Sequence, residues 1–193
     1  MPRIDVHSFY RDCLEKHGET AEGLHFQCAD TQIARFRVLR EYLPEDLTRL
    51  SLVDVGCGFG DLYHYLEQQG GAPGRYIGLD LHEHMVEVAR RRTGCEILQG
   101  DVLHDPLPTA DWYVSSGALN TLTKDETRLF IERCWAAASR GFVFNLLRGQ
   151  DWSEIFNYRQ PHEVESWAAD LGAEIAIADG YLHEDFTVAL TRR

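Results

Sequence analysis

Residues 52–62 read LVDVGCGFGDL. An apolar run that suits a buried strand ends in three glycines, Gly56, Gly58 and Gly60, at every second position. Glycine lacks Cβ, so it accepts positive φ and lets another group approach the backbone closely. A turn this bare between a strand and the helix expected over Asp61–Gln69 reads as a ligand-binding loop.

The pattern outward from this turn alternates. Strands are expected at Leu50–Val55, Tyr76–Leu79, Cys95–Leu98, Trp112–Ser115 and Phe142–Leu147. Helices fall between them at Asp61–Gln69, Glu83–Arg92 and Lys124–Ser139, and a further one at Glu163–Leu171. Strands alternating with helices imply parallel pairing through right-handed crossovers. Two closing strands, Glu174–Ala178 and Phe186–Thr191, break the alternation and read as a hairpin. The expected fold is a doubly wound, mostly parallel, seven-stranded α/β sheet with one antiparallel edge strand. Residues 50–193 form this core within a single domain. Residues 1–45, with helices over 7–17 and 32–43, form an N-terminal lid, and the polar, glycine-rich stretch 17–30 joins them over a site.

Composition narrows the function. The 193 residues are 44% hydrophobic and 26% charged, with a net charge of −12. That suits an ordinary globular protein. It argues against a nucleic-acid substrate, whose binders carry basic surfaces. The only basic run, Arg90–Arg92, ends an expected helix, where cations favour the dipole. No apolar run reaches the length of a membrane span, and the first residues lack a secretion-signal pattern. A cytoplasmic monomer or homodimer is expected. The five cysteines lack metal-site spacing. His82 and His84 have too few partners for a metal site, so none is expected.

Which ligand does the loop take? The dinucleotide fingerprint is G-x-G-x-x-G, with a bare helix N-terminus for the pyrophosphate. Here the spacing is G-x-G-x-G, and Asp54 and Asp61 bracket the loop. Two acids beside a diphosphate repel it, so a cationic ligand without phosphate is expected.

With that, the chain resembles the class I S-adenosylmethionine-dependent methyltransferases. D-V-G-C-G-F-G at 54–60 is similar to that family's first motif. G-L-D-L-H-E-H-M at 78–85 is similar to its second, and Q-G-D-V at 99–102 to its third. All three lie in order at expected strand ends. The resemblance implies S-adenosylmethionine as cofactor and assigns roles by position. Asp80 would accept from both ribose hydroxyls, and Leu81 and Met85 would pack on adenine. Asp101 would accept from the adenine amine, and Val102 would donate an amide. Asp54 would sit near the methionine ammonium, and Gly56, Cys57, Gly58 and Gly60 would shape the methionine end. Ser116 and Gly117 would border the methyl group, and Arg35 would clamp the methionine carboxylate.

No catalytic side chain is singled out. Asn120, His25 and His183 are candidates, with His104 and His162 as further titratable positions near neutrality. Phe26, Trp152, Phe156 and Tyr158 are placed to wall an acceptor pocket. The expected reaction is methyl transfer to a small molecule. RNA or protein methylation, nicotinamide-dependent redox chemistry and non-catalytic cofactor binding are the alternatives.

Overall fold

The computed structural model describes residues 5–149, 153 and 155–192. Trp152 therefore lies outside the described residues. Strands β1 (Ser51–Val55), β2 (Arg75–Asp80), β3 (Glu96–Gln99), β4 (Ala110–Ser115), β5 (Ala138–Arg148), β7 (Glu174–Asp179) and β8 (Asp185–Thr191) run in the order β3-β2-β1-β4-β5-β8-β7. A two-residue strand, β6 (Tyr158–Arg159), pairs with the end of β5. β1 to β5 are mutually parallel. β8 is the antiparallel strand, lying between β5 and β7.

The side-chain period of two sorts the strands onto two cores. Val53, Val55, Ile77, Tyr113, Phe142 and Phe144 face α5 (Lys124–Ala137) and α6 (Pro161–Asp170), meeting Phe130, Ile131, Trp135 and Trp167. Leu52, Tyr76, Trp112, Val114 and Val143 face the other way. They pack on α2 (Ala29–Glu41), α3 (Asp61–Gln68) and α4 (Glu83–Thr93) through Phe36, Leu39, Leu62, Leu66, Val86 and Ala89.

Element ends differ most from the sequence reading at the α5–β5 junction and at the start of α2. α5 stops at Ala137, and β5 begins at once with Ala138. The sheet claims the overlap, because Ala110 pairs with Ala138 before a register shift, and the Asp111 carboxylate accepts from Arg140. α2 starts at Ala29, where the Thr31 hydroxyl bonds back to the Cys28 amide and carbonyl.

α1 (Val6–His17) and a 3-10 turn at Glu22–Leu24 lead to α2, which is pinned to the far side of the sheet by a buried ion pair. Arg35 donates Nε and Nη2 to the two Asp185 oxygens at 2.8 and 3.0 Å, 150 residues apart in sequence. Both side chains are nearly buried, at 12% and 6% exposure. Among the described residues, no helix is long and apolar enough to cross a membrane.

Removing one partner of such a pair leaves a charge without compensation, at about 3–5 kcal/mol. Arg35→Ala is expected to lower stability to chemical denaturation by about that amount, and Arg35→Met with Asp185→Leu to recover most of it. Equal stability of Arg35→Ala and wild type would show that the pair does not hold α2 in place.

Candidate active site

A cleft of about 1050 Å³, counting its open mouth, lies beyond the carboxyl ends of β1, β2 and β4. Its floor is the glycine turn. Gly56 and Gly58 both have positive φ, at 72° and 53°. A Cβ on Gly56 would come within 2.5 Å of the Ala118 methyl, and one on Gly58 within 2.8 Å of Leu24. The bareness of the loop thus admits Ala118 and, from the N-terminal segment, Leu24.

Asp80 ends β2 at 5% exposure. Its Oδ2 accepts from the Gly58 amide at 2.9 Å, and its Oδ1 from the His82 amide at 3.0 Å. Burial pushes the carboxyl up to about 6, against the amides that pull it down. A carboxylate offers about four acceptor sites. The Gly58 and His82 amides occupy two of them. Half-buried Tyr10 lies beside it, and burial together with the Asp80 charge pushes its phenol far above its usual range.

The structure gathers most of the sequence-derived candidates on this cleft. Gly56, Gly58, Asp80, Leu81, Met85, Asp101, Val102, Ser116, Gly117, Arg35, Asn120 and His25 all line it. Asp101 is also a turn cap, because its Oδ1 accepts from the Leu103 amide and its Oδ2 is 2.8 Å from His104 Nδ1. Arg35 lies over the Phe26 ring, 5.1 Å from its centroid, with its fork taken by Asp185. A Cβ on Gly117 would be 3.8 Å from its remaining nitrogen, Nη1. The Gly117 amide in turn donates to buried Asn145 Oδ1 at 3.0 Å. Asn120 is 8% exposed, with Oδ1 shielded and making no hydrogen bond.

Other candidates lie elsewhere. Asp54 does not line the cleft. It is 2% exposed and accepts from the Tyr76 hydroxyl at 2.6 Å behind the loop. Asp61 points to Arg92 and Gln32. The electrostatic reading of the loop therefore needs correcting: the acids that face the cleft are Asp80 and Asp101, not the pair that brackets the glycines. Cys57 is buried under Gly78, and burial pushes its thiol well up, so it is no reactive thiol. Gly60 abuts Thr93, where it lets α3 and α4 approach. His183 stands on a separate surface depression with Arg148, Asp179 and Tyr181. His104 and His162 are exposed outside the cleft lining.

Sequence reasoning missed Phe9 and Tyr10, which look like ordinary apolar positions of α1, and Asp185 and Asn145, which no local pattern ties to the site. Among the described residues, no group of three or more acids, histidines or cysteines is placed to hold a metal.

The buried Asp54 makes a pH prediction. Burial pushes its carboxyl from 3.8 up to about 7. The folded state then binds more protons than the unfolded one between those values. The associated stability is complete below 3.8 and is lost as pH rises through about 7. Thermal midpoints are expected to fall from about pH 4.5 to about pH 8, and Asp54→Asn to flatten that fall while keeping the Tyr76 bond. An unchanged slope in the variant would place the titration elsewhere.

Comparison with known proteins bears on this geometry. Residues 52–141 match the family model described as a methyltransferase domain. A demethylmenaquinone methyltransferase from Lactococcus lactis is 39% identical over 67 residues, covering 32% of this chain and 27% of that protein. A 16S rRNA (guanine(1405)-N(7))-methyltransferase from Proteus mirabilis is 24% identical over 160 residues, 77% of this chain and 57% of that protein. The chain thus spans between about a quarter and three fifths of the length of these curated relatives. The fold matches magnesium protoporphyrin IX methyltransferase from Synechocystis, solved with bound SAH, at a TM-score of 0.72 and 15% identity, covering 97% of this chain and 100% of that one. The match over residues 52–141 is to a methyltransferase domain, and the whole chain shares the fold of this solved methyltransferase.

Proposed function

We propose that this chain transfers the methyl group of S-adenosylmethionine to a small organic acceptor in the cytosol. The observation that carries the reading is one cleft whose lining holds two unlike sets of side chains. Asp80, Leu81, Met85, Asp101 and Val102 offer carboxylates and apolar surface. Aromatic rings join them, with Phe9 and Phe156 edge to face 6.2 Å apart and Phe26 against Arg35.

These residues fit the cofactor. Asp80 would hold the ribose hydroxyls with the acceptor sites its amide partners leave over. Leu81 and Met85 would flank the adenine, and the Val102 amide would face its ring. Nη1 of Arg35 is placed to meet the methionine carboxylate, although Asp185 shares its charge. The cofactor itself supplies an activated methyl on sulfur. The chain's contribution is to hold the acceptor in line with that methyl, and positioning of this kind is worth about 7–11 kcal/mol.

The small-molecule class is supported by the aromatic rings on the cleft wall and by the net charge of −12, which repels a polyanion. Two of the relatives carry names that specify demethylmenaquinone and magnesium protoporphyrin IX, small molecules rather than polymers. The name of the rRNA methyltransferase relative makes RNA the second arm of any assay. Five free cysteines suit a reducing compartment.

Purified protein with radiolabelled S-adenosylmethionine is expected to label a small-molecule extract and leave RNA and protein fractions unlabelled. Label in RNA alone would reverse the assignment. Asp80→Ala is expected to weaken cofactor binding at least about 100-fold, since two bonds to a charged group are worth about 1.5–3 kcal/mol each. Wild-type affinity is also expected to weaken as pH falls through about 6, where Asp80 takes up a proton. Near-normal binding by Asp80→Ala would mean that the ribose lies elsewhere.

A further inference from the structure

His25 stands apart in the cleft wall. Among the described residues it is the one non-glycine with positive φ, at 63°. Side chains rarely adopt that conformation, and such positions gather at sites where the surroundings over-determine the backbone. The surroundings here are specific. The imidazole stacks on Phe9, with centroids 3.7 Å apart and planes 8° from parallel. Tyr10 meets its edge at 5.5 Å. Its Nε2 lies 3.0 Å from the Phe9 carbonyl oxygen.

A carbonyl can only accept, so Nε2 must carry the proton in that bond. In the neutral ring Nδ1 then keeps its lone pair. The described residues make no hydrogen bond to it. The structure therefore fixes which ring nitrogen donates, with His25 held between the Phe9 ring and the Phe9 carbonyl on the cleft wall. A histidine serving only to fill space has no need of a fixed tautomer, and this one sits in a backbone conformation that costs about 1–3 kcal/mol.

We infer that Nδ1 of His25 is the general base for methyl transfer, and hence that the acceptor is a hydroxyl or amine that enters protonated. This rests on the methyl-transfer reading. In the step, the acceptor oxygen or nitrogen forms a bond to the methyl carbon. The carbon–sulfur bond breaks, and its pair stays on sulfur. The acceptor's O–H or N–H bond breaks, its pair stays on the heteroatom, and the proton goes to Nδ1. The imidazolium keeps its Nε2 bond to Phe9 and is exposed enough to pass the new proton to solvent. The titratable neighbours are Tyr10 on α1 and Glu22 in the preceding turn. The cleft's other charged groups are Asp80, Asp101, and Arg35 paired to Asp185.

Two measurements test it. Nitrogen-15 NMR of histidine-labelled protein with S-adenosylhomocysteine, above neutral pH, is expected to show His25 protonated on Nε2 and bare on Nδ1. A proton on Nδ1 instead overturns the inference without any acceptor being known. His25→Gly relieves the backbone and removes the base. It is expected to bind S-adenosylmethionine as wild type does, and to lose about 100- to 10,000-fold in transfer to the acceptor found in the extract assay. Added imidazole is expected to restore part of that loss. Undiminished transfer, or a loss that imidazole leaves untouched, also overturns it. Failure of the wild type to bind S-adenosylmethionine would instead strike the methyl-transfer reading, and calorimetry reads that separately.

Discussion

The site depends on one buried carboxylate. Asp80 gathers the Gly58 and His82 amides, and so ties the turn after β1 to the end of β2. Neither amide has a substitute partner in that position, and a carboxylate with no cation beside it is costly to bury. The same group is thus both a joint of the fold and the cleft's main negative charge. Its raised titration range follows from that double duty. A ligand that brings hydroxyl donors and a positive centre relieves the burial cost, whereas a diphosphate would add to it.

The N-terminal segment completes the cavity. Leu24 lies over Gly58, while Phe9 stacks on His25 and Tyr10 meets both rings edge to face. Arg35 carries the anchoring from α2 to β8 through Asp185, and Phe26 lies against its guanidinium. The cleft wall therefore couples residues from both ends of the chain.

The sheet could be read from sequence because its signals are local. Apolar strands, glycine stops and the three acidic strand ends each lie within a few residues. Asp80 and Asp101 were legible for that reason. Asp54 lies behind the loop and not in the cleft lining, because alternation says which face a strand residue takes but not what lies behind it. Tyr76, one strand over, captures it. Arg35 was recognised as a cleft residue, yet its partner stands 150 positions away, where no short-range pattern reaches. The tautomer of His25 depends on a carbonyl in another helix, and its backbone on a turn whose polar sequence looks like any loop.

With Asp80 and Asp101 in its lining, the cleft suits a sulfonium nucleoside better than a diphosphate one. Calorimetric titration of the full chain with S-adenosylmethionine and with NAD, side by side, tests it most directly. Saturable heat with the first and none with the second is the predicted result. Saturation by NAD, with no binding of S-adenosylmethionine, would contradict it.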